Sequence, residues 1–236
     1  MSKNFYKFSF CFFALSSIIR LDAQSVEEPA KAKFSTLAWD QTIKGLYYWD
    51  DEERINLNIP NGAPSPTFEA PIDKPLVFYR DTGQIDEAGN PIGNPLVSIN
   101  IDRADDPLLL IFFKRNDQTD SYYIAPIVNE TQTTPEEIYQ LYNISSHDIV
   151  AKFNDQKIAL EPNKPLIIPA PGTDQASFGV MMAIQMDSQE NGEWQLVYKA
   201  FWPYRQGRSS LVFISDQEGR KNQIKVRRFY VPTREL

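Results

Sequence analysis

The chain contains one histidine, His147, flanked by Ser146 and Asp148. These three residue types make up a nucleophilic triad, but such triads assemble from positions far apart in the chain. Neighbours on one strand point to opposite faces and cannot relay a proton between them. The spacing therefore predicts a surface turn histidine. A second group is acidic. Asp81, Asp86, Glu87 and Asn90, interleaved with Gly83 and Gly89, would offer oxygens to a calcium ion. Their spacing matches no EF-hand loop, and a solvated hairpin end is the plainer account. The third group is aromatic. Trp194, Tyr198, Phe201, Trp202 and Tyr204 form the densest cluster, followed by Arg205 and Arg208. If exposed, Trp194, Tyr198, Trp202, Tyr204 and Arg205 would stack on a sugar or grip a partner. However, Trp194, Leu196, Tyr198, Ala200 and Trp202 share strand parity, which is the pattern of a core.

Other chemistries lack their residues. The single cysteine is Cys11, and one histidine without further cysteines cannot complete the usual zinc ligand sets. No G-x-x-x-x-G-K-[ST], G-x-G-x-x-G or G-x-S-x-G pattern occurs. Carboxylates are plentiful enough for a glycosidase acid pair, but nothing singles out two of them. The residues imply no cofactor and read as non-enzymatic.

The elements that must position these groups are short strands. The chain has seventeen prolines against ten glycines, and is 42% hydrophobic and 13% aromatic. Apolar runs of four to five residues recur between Asn, Asp and Pro clusters, which are strand and turn signals. The clearest example is Ile138–Pro169. There Ile138–Tyr142, Ile149–Phe153, Lys157–Leu160 and Pro165–Pro169 read as strands, with prolines at both ends of the last run. Elsewhere, Leu46–Trp49, Ile55–Ile59, Leu76–Tyr79, Leu96–Ile101, the fully apolar Leu108–Phe113 and Tyr122–Val128 read as strands, and Phe34–Ile43 opens the ordered part. Asp81–Pro95 is the most polar insertion. Later, Phe178–Met186 and Trp194–Trp202 form a hairpin around Asn191-Gly192, followed by Ser209–Ser215 and Gln223–Val231. Lys225, Arg227 and Arg228 read as a solvated edge that discourages pairing.

The order of apolar runs repeats. Tyr48 answers Tyr142, Ile55–Ile59 answers Ile149–Phe153, and Lys74–Val77 answers Lys164–Ile167. Leu109–Phe112 answers Leu211–Ile214, and Tyr122–Val128 answers Ile224–Tyr230. Strands every 8–12 residues, twice over, predict an all-β protein of two tandem immunoglobulin-like antiparallel β-sandwich domains, at 34–128 and 138–236. Residues 129–137 are expected to link them, with Thr134-Pro135 able to start a short helix.

Residues 1–23 read as a secretory signal peptide. Lys3 and Lys7 precede an apolar Phe8–Ile19, and Leu21-Asp22-Ala23 offers a cut before Gln24. Twelve apolar residues are too few to span a bilayer, which takes about 20, so no transmembrane segment is expected after cleavage. Residues 24–33 are expected to be a flexible lead-in. Cleavage removes Lys3, Lys7, Arg20 and Asp22, taking the net charge from −7 to −9. A chain this acidic repels phosphates, so nucleic acid is not an expected partner. With Cys11 in the leader, the exported form has no disulfide and its core must carry the fold. Asn129-Glu130-Thr131 and Asn143-Ile144-Ser145 are glycosylation sequons, which matter only in a eukaryotic source.

Leu37-Ala38-Trp39-Asp40, Ile59–Ser65, Pro75–Arg80 and Tyr142–Ser146 resemble segments of uncharacterised secreted bacterial proteins, over most of the exported chain. In layout, the chain is also similar to periplasmic tandem β-sandwich accessory proteins of exopolysaccharide modification, such as the alginate-acetylation adaptor family. That likeness assigns no functional residue. The expectation is an exported envelope protein, in the periplasm or outside the cell, that binds an envelope protein partner through strand edges or loops. The alternatives are a carbohydrate-binding module using the Trp194–Trp202 strip and a carboxylate-dependent hydrolase.

Overall fold

The computed structural model describes residues 30–232 except 86, 88, 90, 103, 116–120, 135–136, 171–175 and 187–191. Residues 1–23, expected to be a leader, and with them Cys11, lie outside them. Among the described residues the fold is all-β, with sixteen strands and one 3₁₀ turn, Glu130–Gln132. The strands of the first unit are β1 Lys31–Ala38, β2 Ile43–Asp50, β3 Glu53–Ile59, β4 Phe68–Pro71, β5 Leu76–Ile85, β6 Pro91–Ile99, β7 Leu108–Lys114 and β8 Tyr122–Val128. The second unit has β9 Ile138–Asn143, β10 Ile149–Phe153, β11 Gln156–Leu160, β12 Pro165–Pro169, β13 Ser177–Gln185, β14 Trp194–Pro203, β15 Arg208–Asp216 and β16 Ile224–Pro232. Period-two patterning sets these elements, as in β10, where Ile149, Ala151 and Phe153 are buried and Val150 and Lys152 are half-exposed.

The two units have one topology. The first pairs its strands as β3-β2-β5-β6 and β4-β1-β7-β8, and the second as β11-β10-β13-β14 and β12-β9-β15-β16. Every pairing is antiparallel except β1 with β7 and, at the same place in the second unit, β9 with β15. The β2–β3 and β10–β11 hairpins even turn alike, on Asp51 (φ 53°) and Asn154 (φ 50°), residue types that tolerate the left-handed region. The result is two tandem β-sandwich domains.

This equivalence corrects part of the expected repeat. Leu109–Phe112 with Leu211–Ile214 and Tyr122–Val128 with Ile224–Tyr230 are true counterparts, on β7/β15 and β8/β16. The earlier matches are one strand out of step. Tyr48 lies on β2 while Tyr142 lies on β9, and Ile55–Ile59 is β3 while Ile149–Phe153 is β10. Short apolar runs look alike, and only the parallel partner of β1 and β9 fixes which is first.

Three further expectations change. The lead-in 24–33 runs into β1, which begins at Lys31 because Ala32 is a core residue opposite Ala70. Asp81–Pro95, the most polar insertion, is the end of a hairpin whose strands run further than expected. Both strands of the β5–β6 hairpin extend into it, past two register shifts, and Thr82 donates to the Ile92 carbonyl. In the stretch that links the units, residues 129–132 are packed rather than loose. Asn129 and Thr131 are buried, and the Asn129 N–H donates to the Pro107 carbonyl. Pro135 lies outside the described residues. Both sequon asparagines are buried, and Asn143 Nδ2 donates to the carbonyls of His147 and Leu160, so neither Asn129 nor Asn143 can carry a glycan in this fold.

Each sandwich has its own core. Phe34, Tyr48, Phe78, Leu110 and Phe112 sit in the first, and Tyr139, Phe153, Phe178, Trp202 and Val212 in the second. A third core joins the units. It contains Leu37, Leu109 and Ile111 from the first and Tyr142, Leu211, Phe213, Phe229 and Val231 from the second, with Trp39, Phe113 and Ile127 against it. The β1–β7 and β9–β15 sheets therefore bury both faces. On β7, Leu108, Leu110 and Phe112 face the first core while Leu109 and Ile111 face the third.

Tyr142 lies at the base of the third core. Its hydroxyl donates to the Val128 carbonyl and accepts from Gln140 Nε2 at 2.6 Å. Burial holds this phenol well above its ordinary value of about 10. A folded-state value above the unfolded one means that the contribution is complete below about pH 10 and is lost as pH rises beyond it. Each such tyrosine gives a stability loss of about 1.4 kcal/mol per pH unit in that window. Unfolding free energies from urea titrations at pH 10 to 12 should therefore fall less steeply, by about 1.4 kcal/mol per unit, in Tyr142→Phe than in the wild type. Equal slopes would place the hydroxyl in water.

Candidate interaction surface

The aromatic cluster on β14 does not form one surface. Met182 pairs with Tyr198, but the next residue, Ala183, pairs with Leu196, so Val197 is an extra residue in a bulge. The bulge inverts parity. Tyr198, Ala200 and Trp202 face the second core, whereas Trp194 and Leu196 turn to the outer face. Trp202 is fully buried. Its ring lies among Tyr139, Phe153 and Phe178, its Nε1 donates to the Tyr198 hydroxyl at 2.9 Å, and Arg228 covers it at 4.8 Å. Tyr204 donates its hydroxyl to Glu137, a bond that raises its pKa. Arg205 lies over the Tyr230 ring at 4.3 Å. Of the expected strip Trp194, Tyr198, Trp202, Tyr204 and Arg205, only Trp194 and Arg205 are exposed, and Arg205 is stacked.

The other candidates are also engaged. Asp81 accepts from Arg54 Nη2 at 2.7 Å and from the Gly83 N–H at 2.8 Å, and the arginine holds its carboxyl below the usual range. Arg54 in turn lies 4.0 Å over the Tyr47 ring. Glu87 is exposed, and Asp86 and Asn90 lie outside the described residues. Among the described residues, no group of three His, Cys, Asp or Glu side chains is placed to hold a metal ion. His147 is half-buried. Its ring meets Asp216 at 3.6 Å, the same carboxylate that accepts from the Ser146 N–H, and so ties the β9–β10 turn to β15. Ser145 Oγ donates to Asn143 Oδ1 at 2.6 Å and accepts from the His147 N–H, which closes the same turn. Arg227 is not a solvated edge residue. It lies 4.5 Å over Trp39, donates to the Trp39 carbonyl, and is desolvated enough to lower its pKa.

What the surface does offer is an open edge. Among the described residues eight strands end sheets: β3, β4, β6, β8, β11, β12, β14 and β16. Most are blunted in familiar ways. β4 has four residues, β6 carries Pro91 and Pro95, β8 carries Pro126, and β12 begins and ends in proline. β11 has five residues, and β16 carries the exposed Lys225 and ends at Pro232. β14 is ten residues long with proline only at its end, and holds Trp194, Leu196 and Phe201 at 45%, 56% and 75% exposure.

Backbone alternation tells which groups face outward. The Tyr204 N–H donates to the Ala176 carbonyl, and the Met186 N–H to the Glu193 carbonyl, so these pairs are hydrogen-bonded ones. Counting by twos along the register, residues 198, 200 and 202, and 195 beyond the bulge, bond to β13. The N–H and C=O groups of Trp194, Leu196, Lys199 and Phe201 point to the open edge. The same four residues carry their side chains on the outer face. Sequence reading grouped Trp194 with Trp202 because it assumed unbroken alternation. Leu196 and Phe201 become visible as surface only once the bulge is placed.

Comparison with known protein families finds no match to this chain, and comparison with curated proteins finds none either. Among the described residues, no helix is long and apolar enough to cross a membrane.

Proposed function

We propose that the chain is an exported, non-enzymatic component of the bacterial cell envelope, in the periplasm or outside the cell, that works by binding another protein. The observation that carries this reading is the β14 edge, where exposed apolar side chains and unpaired backbone groups coincide on one long strand. Natural sheets rarely leave such an edge uncovered without a use for it. The leader read at 1–23 supports export, and the layout likeness to periplasmic accessory proteins of exopolysaccharide modification is in keeping with it. A sugar platform would need Trp202 beside Trp194, and Trp202 is inside the second core.

Lysine-reactive crosslinking in the native envelope, followed by purification and mass spectrometry, tests the reading. One envelope protein should be recovered repeatedly in covalent contact with the chain. Recovery of the chain alone would overturn it.

A further inference from the structure

We infer that β14 takes up an extended segment of a second protein as a fifth strand of its sheet, and that this segment carries a carboxylate opposite Lys199 between apolar residues at alternate positions. The inference rests on the protein-binding reading above and names the site and the chemistry of the partner.

An added strand would bond to the outward backbone groups of Trp194, Leu196, Lys199 and Phe201. Because directly opposed residues share a face, the added side chains bonded to these four would lie on the outer face, beside the same four side chains. Three of those positions are apolar and one is cationic. Among the described residues Lys199 has no ion-pair partner, and its cross-strand neighbour is Met181. The matching segment is therefore apolar beside Trp194, Leu196 and Phe201, and acidic beside Lys199. A second copy of this chain is a poor occupant. β14 contains no Asp or Glu, so pairing β14 with β14 sets no carboxylate of the strand opposite Lys199, and two exported chains of charge −9 repel. The equivalent edge in the first unit, β6, carries Pro95, which cannot donate, and Gly93. The uptake is thus specific to the second sandwich.

Lys199 also supplies the test, because its N–H points away from β13. Lys199→Pro removes one outward donor and breaks no bond within the sheet. The photo-crosslinking residue p-benzoyl-phenylalanine, placed at Phe201 of the full chain in its native envelope, should give an adduct with an extended segment of another protein that carries an Asp or Glu. Lys199→Pro should lower the adduct yield by about tenfold, the equivalent of one or two backbone hydrogen bonds. Lys199→Glu, which leaves the backbone intact, should lower it several-fold, and Lys199→Arg should retain it. Urea unfolding of each variant shows whether the fold is kept, and Lys199→Glu decides if the proline variant is unfolded. Undiminished adducts in both variants, or an adduct with a second copy of the chain, would overturn the inference. If lysine-reactive crosslinking still recovers a partner while Phe201 gives no adduct, the site is wrong and the protein-binding reading stands. If neither recovers a partner, both fall.

Discussion

Replacing Trp202 by alanine should lower the unfolding free energy by about 3–5 kcal/mol, whereas Trp194→Ala should change it by no more than about 0.5 kcal/mol. The two residues sit eight positions apart on one strand and would share a face if the strand were regular. Trp202 is 0% exposed and fills the space between the β9–β15 and β10–β13 sheets, in edge contact with Phe153 and Phe178 and nearly parallel to Tyr139. Truncation removes the transfer free energy of the indole and leaves a cavity, and both terms destabilise. It also takes the donor from the Tyr198 hydroxyl and the ring from under Arg228. Trp194 lies beyond the bulge at Val197, with its ring on the outer face. Urea titration followed by far-ultraviolet circular dichroism measures both costs. Equal costs would mean that the bulge is misplaced and the strand alternates throughout. The same comparison separates surface from core for any binding assay. Loss of partner binding in Trp194→Ala at unchanged stability is a surface effect, and loss in Trp202→Ala is not.

Strand existence was legible because it depends on local alternation and turn chemistry. β10 shows the period of two without interruption, and Asn154-Asp155 marks its turn. The double sandwich was legible in outline for the same reason. The step along β14 was not, because a bulge has no strong residue signature in Gln195-Leu196-Val197-Tyr198. Its position depends on how β13 pairs across it. The exposed end of the β5–β6 hairpin was legible in its Gly and Asp content, but not how far its strands run. Register with the opposite strand, fixed in part by the Thr82 bond to the Ile92 carbonyl, holds it extended. The frame of the repeat was lost in the first half, since Tyr48 and Tyr142 are both apolar-run tyrosines although their strands differ. Among candidate site residues, Asp81 was found by type alone, and the arginine that occupies it comes from β3, a relation that spacing does not reveal.

The largest feature that sequence reading missed is the third core, and its signal was present. Leu108–Phe113 is apolar without alternation, which is how a strand buried on both faces reads. In a single sandwich the outer face of β7 would be wet, so Leu109 and Ile111 call for a cover. Leu211, Phe213 and Phe229 of the second unit provide it. Phe213 is the centre of that contact. It stacks on Tyr142 at 5.2 Å and 11°, and meets Trp39 edge-on at 5.7 Å and Phe229 at 5.9 Å. Its neighbours Val212 and Ile214 point the other way, into the second sandwich. Denaturation of the wild type should therefore give one transition, with both units lost together, because neither can unfold without exposing the apolar face of the other. Phe213→Ala should lower that transition by about 3–5 kcal/mol, the usual cost of truncating a buried phenylalanine. Because Phe213 lies on the docking side of β15, the loss should fall on the coupling, and the variant should move toward two transitions. Val212→Ala, which touches only the second core, should destabilise without splitting the curve. Two transitions in the wild type, or a Phe213→Ala cost below about 1 kcal/mol, would mean that the units touch without being coupled. Coupling of this kind bears on β14, since an open edge on a double sandwich joined by a shared core can receive a strand without the receiving sheet having to reorder.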